Sequence, residues 1–192
     1  MKFLITFIGA IIMSACSIFG ESNVEIAPYE VLKSEPPYEV RHYESMVLVS
    51  APMSSLDDQA SPFGKLFDYI SGDNSKSMDI PMTAPVFMDK NGEIMDMMSF
   101  VLPDDMDMSS APFPANTSVT LEEITDYTVA VIQFNGRLKD DNINTHEDKL
   151  RAWIDDNQYK ITGDAKTAGY NPPFTLPAFR RNEVLIPIEK PE

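Results

Sequence analysis

The sequence predicts an α+β fold in which two pseudo-symmetric units, each running strand, strand, helix, strand, strand, share one sheet or barrel. Three observations predict it. Short segments rich in Val, Tyr and Ile have strand composition, two further segments repeat apolar residues at helical spacing, and the order of elements restarts after a loop at 103–116. The 192-residue chain holds one cysteine, so no intrachain disulfide can staple it and a hydrophobic core must hold the fold. A chain of this length can supply such a core.

Residues 1–15 read as a secretory signal: Met1-Lys2 is a charged start, 3–13 an apolar run, and Met13-Ser14-Ala15 a small-residue cleavage site before Cys16. The run is shorter than the roughly 20 residues that a membrane-spanning helix needs. Residues 16–27 then form a tether, and one folded domain is expected over 28–192.

Within that domain, 29–33, 38–43 and 46–51 read as strands. A helix follows, with Ser61 as N-cap and Pro62 at the first helical position; Phe63, Leu66, Phe67 and Ile70 recur at helical spacing, and Gly72 closes it. Strands at 78–88 and 95–102 are joined by Asp89-Lys90-Asn91-Gly92, whose Asn-Gly pair favours a tight turn. Pro81 and Pro85 cannot donate to a ladder, so the first of these strands is an edge, bulged or bent.

Beyond the loop, 119–123 and 127–135 read as strands, followed by a second helix with Thr145 and Asp148 as a capping pair and His146, Leu150, Trp153 and Ile154 on one face. Strands at 160–168 and 183–188 complete the repeat.

Thirty acidic against fifteen basic residues give a formal charge of −15. Such a field repels nucleic acid and anionic headgroups, so no nucleic-acid partner is expected and any membrane attachment must come from lipid rather than a basic patch. There is no Gly-x-Ser-x-Gly, no His-Glu-x-x-His and no glycine-rich phosphate loop, so no enzyme with a self-contained active site is expected. A pocket Glu facing a Tyr would reopen a hydrolase or isomerase reading. Met78, Met82, Met88, Met95, Met97, Met98, Met106 and Met108 crowd one region; thioethers suit Cu(I), but they also fill irregular cores and adaptable pockets, which is the reading preferred. Asp104, Asp105 and Asp107 lack the glycine and distal glutamate of a calcium loop and read as solvated.

Two resemblances sharpen this picture. Ser14-Ala15-Cys16 resembles the lipobox of bacterial lipoproteins, with Met13 where Leu is more usual; it implies that Cys16 becomes the N-terminus and carries lipid, and Ser17 in place of Asp implies sorting to the outer membrane, facing the periplasm. Tyr38-Glu39-Val40-Arg41-His42-Tyr43, Phe63-Gly64-Lys65-Leu66-Phe67-Asp68-Tyr69-Ile70-Ser71-Gly72, Ile80-Pro81-Met82-Thr83-Ala84-Pro85-Val86, Thr167-Ala168-Gly169-Tyr170-Asn171-Pro172-Pro173 and Arg180-Arg181-Asn182-Glu183-Val184 resemble, in order, the SOUL haem-binding protein family. That resemblance implies a distorted antiparallel β-barrel with two helices, built from a duplicated unit, and kinship with effector-binding domains for apolar small molecules.

The resemblance also implies a ligand, a non-covalent b-type haem or a related tetrapyrrole. Such a ring needs an apolar cleft, cations near its carboxylates and, optionally, an axial side chain. The candidates are Phe63, Lys65, Leu66, Phe67 and Ile70 on the first helix, Met82 in the Ile-Pro-Met motif, and His42 as axial ligand to the iron. Plainer readings stand beside each: the helix stripe also suits a core face, His42 a hydrogen-bonded strand residue, His146 an edge-of-core histidine, and Arg180 and Arg181 ion pairs with nearby acids. Lys65 is the one cation on a helix where the family carries several, with Ala60 and Asp68 where others would be sought. The expected function is therefore a membrane-tethered haem or tetrapyrrole binder, against an envelope interaction or structural lipoprotein that kept the fold and lost the ligand. The sequence names no protein partner.

Overall fold

The computed structural model describes residues 24–53, 61–91 and 94–191. The signal segment, Cys16, Ala60, most of the tether and Gly92 of the tight turn lie outside them.

Among the described residues the strands are β1 Glu25–Ile26, β2 Glu30–Glu35, β3 Tyr38–Pro52, β4 Thr83–Ala84, β5 Val86–Asn91, β6 Ile94–Val101, β7 Thr120–Phe134, β8 Lys166–Gly169 and β9 Asn182–Pro187. The helices are α1 Pro62–Ile70 and α2 Asp140–Asp156, with one 3-10 turn at Pro177–Phe179. Strands β3, β6, β5, β8, β9 and β7 pair antiparallel in that order, and β7 pairs back onto β3, closing a six-stranded barrel; β2 is an extra strand on β3. The ladder closes on itself within the described residues, so the barrel is complete without help from the flanking chain.

The duplicated unit is visible in the pairing. The first half contributes β3, β6 and β5, the second β7, β9 and β8, and the halves meet at two seams, β3 with β7 and β5 with β8. A pseudo-twofold relation follows, with α1 and α2 each packed outside its own half.

Two pairs of segments expected as separate strands are each one long strand. The ladder runs from Tyr38↔Ile132 to Ser50↔Thr120, skipping only Glu44 opposite Asp126, where Asp126 has φ +49°. The skip changes which alternate residues face inward. Tyr43, Met46 and Leu48 share the barrel interior with Val129 and Val131; Val40, Ala130 and Ile132 point outward under α2, whereas Val47, Val49 and Leu121 point outward under α1. One strand thus serves three cores, and its hydrophobic alternation breaks phase where the sequence suggested an end.

Other differences are local. Residues 78–82 are not strand, because Pro81 and Pro85 leave only Thr83–Ala84 to pair, in parallel, with β1 before β5 begins. Of 160–168 only the last three residues are strand, in β8, which runs Lys166–Gly169. Helix α2 starts at Asp140, five residues before Thr145, whose hydroxyl donates back to the Asp141 carbonyl at 2.6 Å; Thr145 is an interior residue of the helix, not its cap. Ser61, by contrast, caps α1, its hydroxyl accepting from the Gly64 amide at 3.1 Å with Pro62 next in line.

Candidate functional site

The α1 sequence has two faces. Leu66, Tyr69 and Ile70 pack onto β3 and β6 with Phe100 and Leu102, while Phe63 and Phe67, one turn apart, stay 45% and 51% exposed. Their rings lie nearly parallel at 6.3 Å, and the Phe100 edge meets Phe63 at 5.2 Å, so the exposed aromatics are held in place. They form one wall of an open groove of about 230 Å³. Met82, Thr83, Ala84 and Val86 form its floor, the segment from Tyr170 to Pro173 its far wall, and Val24 its end. The lining is almost wholly apolar. Its volume is below the roughly 300 Å³ at which pockets begin to enclose a drug-sized ligand, so it suits a flat body lying partly in solvent.

The far wall is braced from behind. Asn171 accepts from the Arg181 amide at 2.6 Å, and the Arg180 guanidinium donates to the carbonyls of Pro173 and, at 2.8 Å, Thr175. The Tyr170 hydroxyl donates to Glu183 at 2.8 Å. Glu183, at the head of the apolar strand β9, is wholly buried and receives Arg41 as a fork at 2.7 and 3.0 Å and Arg181 Nη2 at 2.8 Å. Arg41 also bonds Glu39 and lies over the Tyr29 ring, and Arg181 over the Tyr170 ring.

The electrostatics follow from that packing. Burial works against the charge on Glu183, yet Arg41 and Arg181 hold its carboxyl below the ordinary range. Burial similarly opposes charge on Arg41, but the Glu183 bond and field raise it overall. Burial beside this carboxylate pushes Tyr170 well above its usual value, and burial takes Tyr43 to about 12. A buried Glu facing a Tyr is therefore present, but the carboxylate is neutralised by two arginines and lies behind the groove wall. As a general base it is already spent.

The structure separates the residues that the sequence grouped. Phe63, Phe67 and Met82 line the groove; Leu66 and Ile70 face the core; Lys65 is buried rather than at the mouth. His42 lines a different depression, with Tyr29, Glu30, Glu44 and Lys190. Lys190 donates to its Nε2 at 3.2 Å, which leaves Nδ1 to donate to Thr128 Oγ1 at 3.0 Å, so both ring nitrogens are engaged. His146 stacks on Phe134 at 4.2 Å and donates through Nδ1 to the Asn142 carbonyl. Met82, Met98 and Met106 pack at the edge of the core beneath α1. Asp107 accepts from Ser109 and Ser110, bonds that bring its carboxyl down to about 2. No group of three or more His, Cys, Asp or Glu that could hold a metal occurs among the described residues.

The Tyr170–Pro173 wall and the Arg41–Glu183–Arg181 network were not assigned to the site from sequence. The signal for the network was available: Glu183 is a lone acid leading an apolar strand, and a buried acid requires a cation.

The family model described as SOUL heme-binding protein matches residues 24–187. The chain belongs to this family. Among SOUL relatives, Heme-binding protein 1 of Mus musculus is 32% identical over 186 residues, covering 88% of this chain and 95% of the relative. Heme-binding protein 2 of Homo sapiens is 33% identical over 177 residues, covering 86% and 84%. The SOUL barrel extends to more distant solved structures, among them the EcmrR C-terminal domain (TM-score 0.57, 16% identity, 85% of this chain and 99% of that one) and a hydrolase from Listeria innocua (TM-score 0.56, 9% identity, 82% and 94%). At those identities the likeness is one of fold alone.

Proposed function

We propose that this chain binds haem or a related tetrapyrrole in the groove beside α1, as an exported protein held in the cell envelope by lipid on Cys16. One observation carries the ligand reading: Phe63 and Phe67, held but uncovered, face an apolar floor in a protein whose relatives are named for haem binding. Phe63 and Phe67 would hold a macrocycle there against the apolar floor of Met82, Ala84 and Val86. Among the described residues the lining holds no cation, so binding rests on apolar contact and stacking. A haem is held there without covalent attachment.

Haem would supply an iron there that a protein side chain can ligate. Of the groove residues, Met82 brings a thioether, and the Tyr170 hydroxyl is committed to Glu183. His42, outside the lining and bonded through both nitrogens, is not the axial ligand in this reading. The protein binds and presents its ligand; it does not transform it.

The test is a haem titration of residues 24–192, followed by the Soret band. A saturable change that is lost in Phe63→Ala/Phe67→Ala supports the groove. A featureless titration removes the ligand and selects the second reading, an envelope protein that docks partners without a pigment, which the wholly uncharged lining among the described residues favours.

A further inference from the structure

The chain leaving the groove's far wall carries apolar side chains that the fold does not use. Phe174 is 85% and Leu176 66% exposed. Folding gives no reason for this, since large apolar groups left in water forgo about 1.5–3 kcal/mol each. The loop is not a loose end. Besides the Arg180 bonds to Pro173 and Thr175, the Gly136 amide donates to the Pro177 carbonyl at 2.8 Å, and the Asn135 amide donates to Ala178 and Arg180 carbonyls at 3.1 and 3.0 Å. Thr175 is buried between Phe174 and Leu176. The protein thus braces an apolar tip.

We infer that this tip and the adjoining groove mouth dock onto a lipid bilayer with uncharged surface, so that the ligand enters and leaves at the membrane face. Two observations choose lipid. In a chain with 30 acidic residues there is no Asp or Glu from Ala165 to Asn182, so the segment that carries the tip brings no negative charge of its own to a headgroup layer. The net charge of −15 disfavours anionic lipid and leaves a zwitterionic surface as the matching one. Second, the chain emerges at the groove: Val24 lines it, and the eight residues from Cys16 span at most about 28 Å when extended. An anchor at Cys16 holds the groove within that distance of the bilayer. The reach argument takes the Cys16 anchor from the proposed function, and the docking geometry rests on the ligand reading only for its purpose.

The experiment floats residues 24–192, the complete barrel without the anchor, on phosphatidylcholine vesicles, beside the variant Phe174→Ser/Leu176→Ser. The parent should co-float, and the variant should partition at least about tenfold more weakly, from the two lost apolar side chains. Its unfolding midpoint should be unchanged, because both side chains are already in water. Replacing phosphatidylcholine by phosphatidylglycerol should weaken the parent's binding. A parent that stays unbound, a variant that binds as well as the parent, or a parent that self-associates through this loop instead of floating would overturn the proposal. The same variant is titrated with haem: a retained Soret change with lost flotation supports docking as a separate property, and flotation without any Soret change removes the ligand while docking stands.

Discussion

The Tyr170 hydroxyl donates to the buried Glu183 carboxylate at 2.8 Å while the residue itself forms part of the groove wall. The wall is therefore set by an ion network that reaches across the barrel to Arg41 on β3. Substituting the hydroxyl and substituting the ring should have different effects. Tyr170→Phe should cost about 1 kcal/mol in urea unfolding and leave haem affinity nearly unchanged, since Glu183 keeps its two arginines. Tyr170→Ala should weaken haem binding as well.

Phe63 and Phe67 separate binding from stability in the other direction. Both are about half exposed, so replacing Phe67 with Ser should change unfolding free energy by less than about 1 kcal/mol. Haem affinity should fall tenfold or more, read by Soret titration. Equal losses in both assays would make the stripe a core face and nothing else.

His42→Ala should leave the position and shape of the haem spectrum as in the parent, because His42 lines a separate depression and its nitrogens are bonded to Lys190 and Thr128. A shifted Soret band in this variant would put the ligand in that depression.

Glu183 should make stability acid-sensitive. Its folded pKa lies below the ordinary 4.5. The stabilisation is complete above the unfolded value and is lost as pH falls through the folded one, so melting temperature should drop on acidification below about pH 4.5. Glu183→Gln should flatten that part of the profile. At neutral pH it should be destabilised by up to about 3–5 kcal/mol, because Arg41 loses its fully buried counter-charge and keeps only the partly exposed Glu39.

Leu150 and Ile154 seat α2 on the second half of the barrel. Leu150→Ala should cost about 2–5 kcal/mol in urea unfolding and spare haem affinity, since the groove belongs to the other helix.

What was legible in the sequence was what is decided locally. Ser61 and Pro62 cap α1 because the groups they satisfy are within one turn. The repeated order of elements is the pseudo-twofold of the barrel. The breaks at Glu44 and Asp126 were legible too, but as strand ends, because a phase change in apolar alternation looks the same whether a strand stops or one ladder step is skipped. The site was harder. His42 could be placed on a strand face, but which surface that face forms depends on β7 closing against β3 and on Lys190 arriving from 148 residues away. Phe63 and Leu66 belong to one amphipathic stripe; only the packing of α1 on Phe100 decides that the first is exposed and the second covered. Arg41 and Glu183, 142 residues apart, declare themselves only as charges that need each other.

The two seams have one further consequence. Severed at the 103–116 loop, each half would expose two unsatisfied edges, β3 and β5 on one piece and β7 and β8 on the other. Each edge pattern is complementary to the other piece's and, through the pseudo-twofold, nearly so to its own. The molecule is in effect a dimer whose subunits are covalently joined, and the linker settles which copy each half embraces.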